Sequence, residues 1–196
     1  MKFTIKLAII GCIYFFLILL FSYCKEKTKI NYQEVVGFNY QFSDTTKRNM
    51  IINEFDTVLI YSFSISIHPI GKTVKIETAS FDIINKCYAM NIEFKIIGNI
   101  DSLALVSDEK FNNNYNAHTS LNNIIKVRYS EENGNIVDTF EPFTEFIKRK
   151  KVFPWFLEIK FTEPPDSVRL HYFTFKYFEV GGKITEIRMK PIYIKP

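Results

Sequence analysis

Residues 58–68 read VLIYSFSISIH, and the side chains alternate in character at every second position. Leu59, Tyr61, Phe63, Ile65 and Ile67 fall on one side, and Ser62, Ser64 and Ser66 on the other. A strand places successive side chains on opposite faces, so this pattern predicts a half-buried β-strand. The same period recurs in Val74 and Ile76 against Lys75 and Glu77, and in Ile92, Phe94 and Ile96 against Glu93 and Lys95. It returns in Ile125, Val127 and Tyr129 against Lys126 and Arg128, and in Leu157, Ile159 and Phe161 against Glu158 and Lys160. With 20 Phe and 11 Tyr among 196 residues, the chain is rich in side chains that suit a pleated, half-buried surface.

Turn chemistry separates these runs. "NGN" at residues 133–135 and "VGGK" at residues 180–183 are hairpin signals, because Gly and Asn accept positive φ. "HPIG" from His68 and "EPPD" from Glu163 predict strand ends, since proline has no ladder donor. Residues 168–180 are apolar on both faces and predict a central strand, while Pro191 predicts an edge strand or bulge. One short helix is expected over residues 141–150, with Pro142 in its first turn, Phe143, Phe146 and Ile147 on one face, and Glu145 paired with Arg149. The expected fold is therefore all-β, an antiparallel β-sandwich of about eight strands, Ig-like or related, with a β-barrel as the alternative.

The front of the chain has a different grammar. Lys2 and Lys6 precede fifteen residues, 7–21, without a charged or strongly polar side chain, and "SYCKEK" follows from Ser22. A membrane-spanning helix needs about 20 apolar residues and a secretory signal about 7–15, so the run has signal-peptide length. A cysteine just after such a core resembles the lipobox of bacterial lipoproteins, although Phe21 and Tyr23 depart from its usual letters and only Ser22 fits. In that family the cysteine thiol is joined to a diacylglycerol and the cut falls just before it. The resemblance implies a signal peptide at residues 1–23, lipidation at Cys24, and a lipid-anchored domain facing the periplasm or cell surface. Cys12 also follows suitable letters, "IIGC", but a cut there would leave a long apolar mature N-terminus. An uncleaved signal anchor or an ordinary cleaved signal are the alternatives, and all three export the remainder. Residues 24–34 then read as a polar tether and 35–196 as a single domain.

Removing residues 1–23 takes away two lysines and leaves 23 − 21 = +2, where the whole chain carries +4. That balance provides no electrostatic basis for nucleic-acid binding. Cys87 is then the lone unmodified cysteine, which reads as a small buried hydrophobe. No G-x-S-x-G elbow, phosphate-binding glycine loop, H-E-x-x-H or paired C-x-x-C occurs. His68, His118 and His171 are far apart, and His171 reads as a buried, hydrogen-bonded strand residue. Asp108, Glu109, Asn112, Asn114 and Asn116 offer oxygens in one loop, but they lack the carboxylate number and glycine turn of a calcium site. They read as an Asn-rich loop bonding its own backbone. No catalytic residue, metal or cofactor is expected, and Glu and Lys on the strands read as cross-strand pairs on solvated faces.

The stretch "DSLALVSDEKFNNNYNAHTSLNNIIKV" from Asp101, together with the leader, the size and the late "VGGKI" hairpin, is similar to a family of uncharacterised Bacteroidetes lipoproteins of about 200 residues. That resemblance implies an all-β envelope lipoprotein of unknown function and carries over no catalytic residue. Two functions stay open. One is a binding or structural module meeting glycan or another envelope protein. The other is an envelope hydrolase, glycosidase-like, whose carboxylate pair is set by fold and leaves no motif. The candidate contact surface is "KRKKVFPWF", in which Lys148, Arg149, Lys150 and Lys151 precede Trp155, the single tryptophan. Cations beside aromatics suit anionic glycans or lipid headgroups. The competing reading has the cations end the helix while Trp155 and Phe156 enter the core.

Overall fold

The computed structural model describes residues 27–47, 50–78, 90–131 and 134–196. The apolar leader, Cys24 and Cys87 lie outside these residues. The chain divides into two compact units, Met1–Tyr32 with Lys75–Phe94, and Gln33–Val74 with Lys95–Pro196. The smaller therefore takes in part of the segment read from sequence as one domain.

Thirteen strands and one α-helix occur among the described residues. They are β1 (Lys27–Asp44), β2 (Met50–Ile51), β3 (Thr57–Leu59), β4 (Phe63–Thr78), β5 (Met90–Ile97), β6 (Ile100–Ser107), β7 (Ile125–Tyr129), β8 (Glu141–Pro142), α1 (Phe143–Arg149), β9 (Leu157–Phe161), β10 (Arg169–His171), β11 (Phe173–Glu179), β12 (Ile184–Arg188) and β13 (Ile192–Lys195). The all-β expectation holds, with more strands than the eight expected, from two residues in β2 and β8 to 16 in β4 and 18 in β1. A seven-stranded sheet runs β2-β1-β4-β9-β7-β8, with β5 also paired to β1. Two three-stranded sheets run β10-β13-β3 and β12-β11-β6, and β13 pairs β3 in parallel. β1 starts at Lys27, so the residues expected to tether the domain are largely strand.

In the larger unit the alternation largely sorts the side chains as expected. Phe63, Ile65, Ile67, Val127, Leu157 and Ile159 are fully buried. They join Phe161, Phe173, Phe175 and Tyr177 in an aromatic core. Phe42 meets Phe63 with ring centroids 5.3 Å apart, and Phe161 meets Phe173 at 5.4 Å. Rings at such spacings in tilted or edge geometries add about 0.5–1.5 kcal/mol each beyond their buried area.

Several expectations are corrected. Residues 58–68 are not one strand, because Ser62 N–H donates to Leu59 O and Phe63 N–H to Ile60 O, closing a turn. That turn buries Val58 and Ile60 and leaves Leu59 and Tyr61 exposed. Pro69 does not end β4, because the ladder with β9 already stops at the Ile67–Leu157 pair. The expected central strand 168–180 is two strands in different sheets, β10 at an edge and β11 in the middle. Pro191 lies in the link before β13, which is central, and its carbonyl accepts from Phe55 N–H at 3.0 Å. The helix is shorter than expected because Glu141 and Pro142 are strand. The glycines of both turns have positive φ, Gly134 at 83° and Gly181 and Gly182 at 110° and 88°, with Asn133 outside the described residues.

In the smaller unit, Tyr32 donates to the Glu77 carboxylate at 2.9 Å, and Glu77 also pairs with Lys75. The Lys75 and Tyr32 hydrogen bonds hold the Glu77 carboxyl below its ordinary range. Ile76, Ile92 and Phe94 are exposed rather than half-buried. Alternation makes a strand, but burial needs a second layer, and the described residues of this unit provide none.

Candidate functional site

The 148–156 segment comes first. Lys148 ion-pairs with Glu145 at 2.8 Å, and Arg149 pairs with Glu141 while donating to the Tyr129 hydroxyl. Glu145 thus takes Lys148, not Arg149 as expected. The Lys150 ammonium lies 4.6 Å from the centroid of the Tyr129 ring, and Lys151 is exposed. Phe153 is in the core, Trp155 packs partly buried against it, and Phe156 meets the His68 ring at 5.4 Å. Three of the four cations therefore have internal partners.

Two titratable groups with no exposed surface lie elsewhere among the described residues. His171 is fully buried, with Nδ1 2.9 Å from Ser107 Oγ, its ring stacked on Phe173 and its Nε2 without a partner. Burial, then the nearby charge of Arg169, pushes its pKa down to about 4. Tyr177 is also fully buried, and neither its hydroxyl nor Glu179 Oε2 has a partner. Burial, then the charges of Glu179 and Glu34, pushes the phenol up to about 12. Gly98, at φ 109°, lets the chain pass here, because a Cβ would sit 2.2 Å from Glu179 Oε1. A concavity of about 310 Å³ beside it, lined by Asp101, Glu179, Lys183 and the two hairpin glycines, is an open groove. No group of three His, Cys, Asp or Glu suited to a metal occurs among the described residues.

The Asn-rich loop does what its composition suggests. Asn112 Oδ1 accepts from the N–H groups of Asn114 and Tyr115, at 3.0 and 3.2 Å. Asn122, in "SLNNI", accepts from Leu105 N–H and donates to Leu103 O, tying the loop to β6.

The arrangement that sequence reasoning missed is on the polar face of β9 and β7. Register sets Lys160 opposite Lys126 and Glu158 opposite Arg128, with Ser64 and Ser66 of β4 across from Lys160 and Glu158. Glu158 is nearly buried and pairs with Arg128. Phe140, just before β8, projects its ring among the cations. Lys126 Nζ, Arg128 Cζ and Lys160 Nζ lie 5.6, 5.3 and 5.0 Å from its centroid. On this face the expected pairing is met by Arg128 with Glu158 while the two lysines face each other, and on β11 and β12 it is met by Lys176 and Glu186, directly opposite and 3.7 Å apart. Alternation located each residue on a polar face, but nothing local in the sequence gives the register that brings them together or the approach of Phe140.

No family model matches this chain, and no curated protein matches it. Among solved structures, a DUF4466 family protein from Parabacteroides merdae is similar at TM-score 0.33 and 12% identity, over 82% of this chain and 45% of that one. The major pilin subunit of Bacillus cereus, in a D312A form, is similar at TM-score 0.20 and 11% identity, over 87% of this chain and 69% of that one. The chain thus spans less than half of the Parabacteroides protein. At TM-scores below 0.5 neither likeness carries an argument about function.

Proposed function

We propose that this protein is exported, is held to the membrane by lipid on Cys24, and serves in the cell envelope as a binding or structural module. The observation that carries the address is the apolar run 7–21, of signal-peptide length, ending beside a cysteine that charged residues follow. Support for a module over a hydrolase comes from the concavity at the β11–β12 hairpin, which is an open groove and not a deep cleft, while His171 and Tyr177 are sealed in the core and serve packing. The test is metabolic labelling with a fatty acid, comparing wild type with Cys24→Ala. Wild type incorporates label and fractionates with membranes, and the variant loses both. Equal labelling of the two proteins overturns the anchor.

A further inference from the structure

Lys126 and Lys160 stand directly opposite each other on adjacent strands. Like charges in that relation destabilise a sheet unless something offsets them. The internal offsets are few. Glu158 is committed to Arg128, and Glu141 follows the register of Val127 onto the opposite face, where it pairs with Arg149. Among the described residues no carboxylate comes within ion-pair distance of either lysine, not even Asp138, two residues before Phe140. What remains is one aromatic ring shared by three cations. A cation–π contact at an exposed site is a weak offset, and one ring has one quadrupole to share. Three cations and one carboxylate leave a local charge of +2. Both lysines are half-buried, so an anion placed between them is partly desolvated and held more strongly than on an open surface.

We infer that this face binds a doubly charged oxyanion of the phosphate or sulfate class, between Lys126 and Lys160 and walled by Phe140. Lysine ammoniums suit such a group as point charges that need no planar fork. Half-buried ammoniums within a sheet face favour a compact group on a soluble molecule over a flat bilayer, which meets fully exposed cations. The inference rests on the reading of the protein as a binding module and is independent of the anchor.

The test is titration calorimetry on the full chain in a neutral detergent at low ionic strength. The probes are inorganic phosphate, sulfate and glucose 6-phosphate. Wild type gives a saturable signal. Lys126→Met and Lys160→Met keep the apolar stem and each weaken it at least tenfold, while Lys183→Met, beside the hairpin groove, leaves it unchanged. Thermal melting separates this role from a structural one, because removing one of two opposed like charges leaves Tm unchanged or raises it. Equal affinity for the two phosphates marks a free-anion site, and tighter glucose 6-phosphate marks a phosphate ester. Silence of folded wild type to all three probes overturns the inference. So does binding that survives both substitutions, or lysine-dependent binding of anionic phosphatidylglycerol vesicles by a protein that ignores the soluble anions. Labelling at Cys24 is read separately, so failure here leaves the anchor standing.

Discussion

Ser107 Oγ and His171 Nδ1 are 2.9 Å apart, in a place where both side chains are buried, and the ring's other nitrogen has no partner. This contact ties the end of β6 to β10 and holds a neutral imidazole between Phe111 and Phe173. Protonating it would put a cation into an aromatic core.

Acid stability follows directly. The folded pKa of His171 is about 4, below the ordinary 6.5, so the fold favours the neutral ring. Its contribution is therefore present above pH 6.5 and is lost as pH falls from 6.5 to 4, amounting to about 3 kcal/mol when lost in full. Melting temperature measured across that window should fall in wild type. His171→Phe, which keeps an aromatic ring in the stack, should flatten the dependence. An unchanged slope in the variant would assign the acid sensitivity to other groups.

Alkali acts on Tyr177 with the opposite protonation sense. Its pKa of about 12 lies above the ordinary 10, so the fold favours the neutral phenol. That preference stabilises fully below pH 10 and is lost as pH rises from 10 to 12. Tyr177→Phe removes a buried hydroxyl that has no partner, so it should leave neutral-pH stability unchanged or raised and weaken the alkaline loss. Denaturant unfolding at pH 8 and pH 11 checks both halves. A variant markedly less stable at pH 8 would mean that the hydroxyl is bonded after all.

The two sides of β4 differ in kind. Phe63 is fully buried among Phe42, Phe161 and Phe173, and Phe63→Ala should cost about 3–5 kcal/mol. Ser64, on the polar side, is also fully buried and shares a 2.7 Å hydrogen bond with Ser43. Ser64→Ala should therefore cost about 1 kcal/mol, not nothing, because the Ser43 hydroxyl loses its partner. Urea unfolding of the two variants measures both, and equal losses would overturn the assigned faces.

Much of the larger unit was legible because period-two alternation is a local property. Ile125, Val127 and Tyr129, like Leu157, Ile159 and Phe161, are buried as their spacing predicts. The glycine turns and the self-bonded Asn112 were equally readable, since a positive φ or a short side-chain acceptor acts within a few residues. Ile76 and Phe94 carry the same alternation yet are exposed, because burial depends on what the rest of the chain brings to the other side.

By itself, then, the sequence determined strands, turns and the helix near residue 143, because each is written in neighbouring residues. Tertiary structure decided the rest. Which sheet a strand joins, and which residue it faces there, depends on pairing between segments as distant as β7 and β9. That pairing turned two unremarkable lysines into an unbalanced pair, enclosed them with Phe140, and sealed His171 and Tyr177 away from solvent. Charge and burial are sums over all neighbours in space, and no short stretch of chain contains those sums.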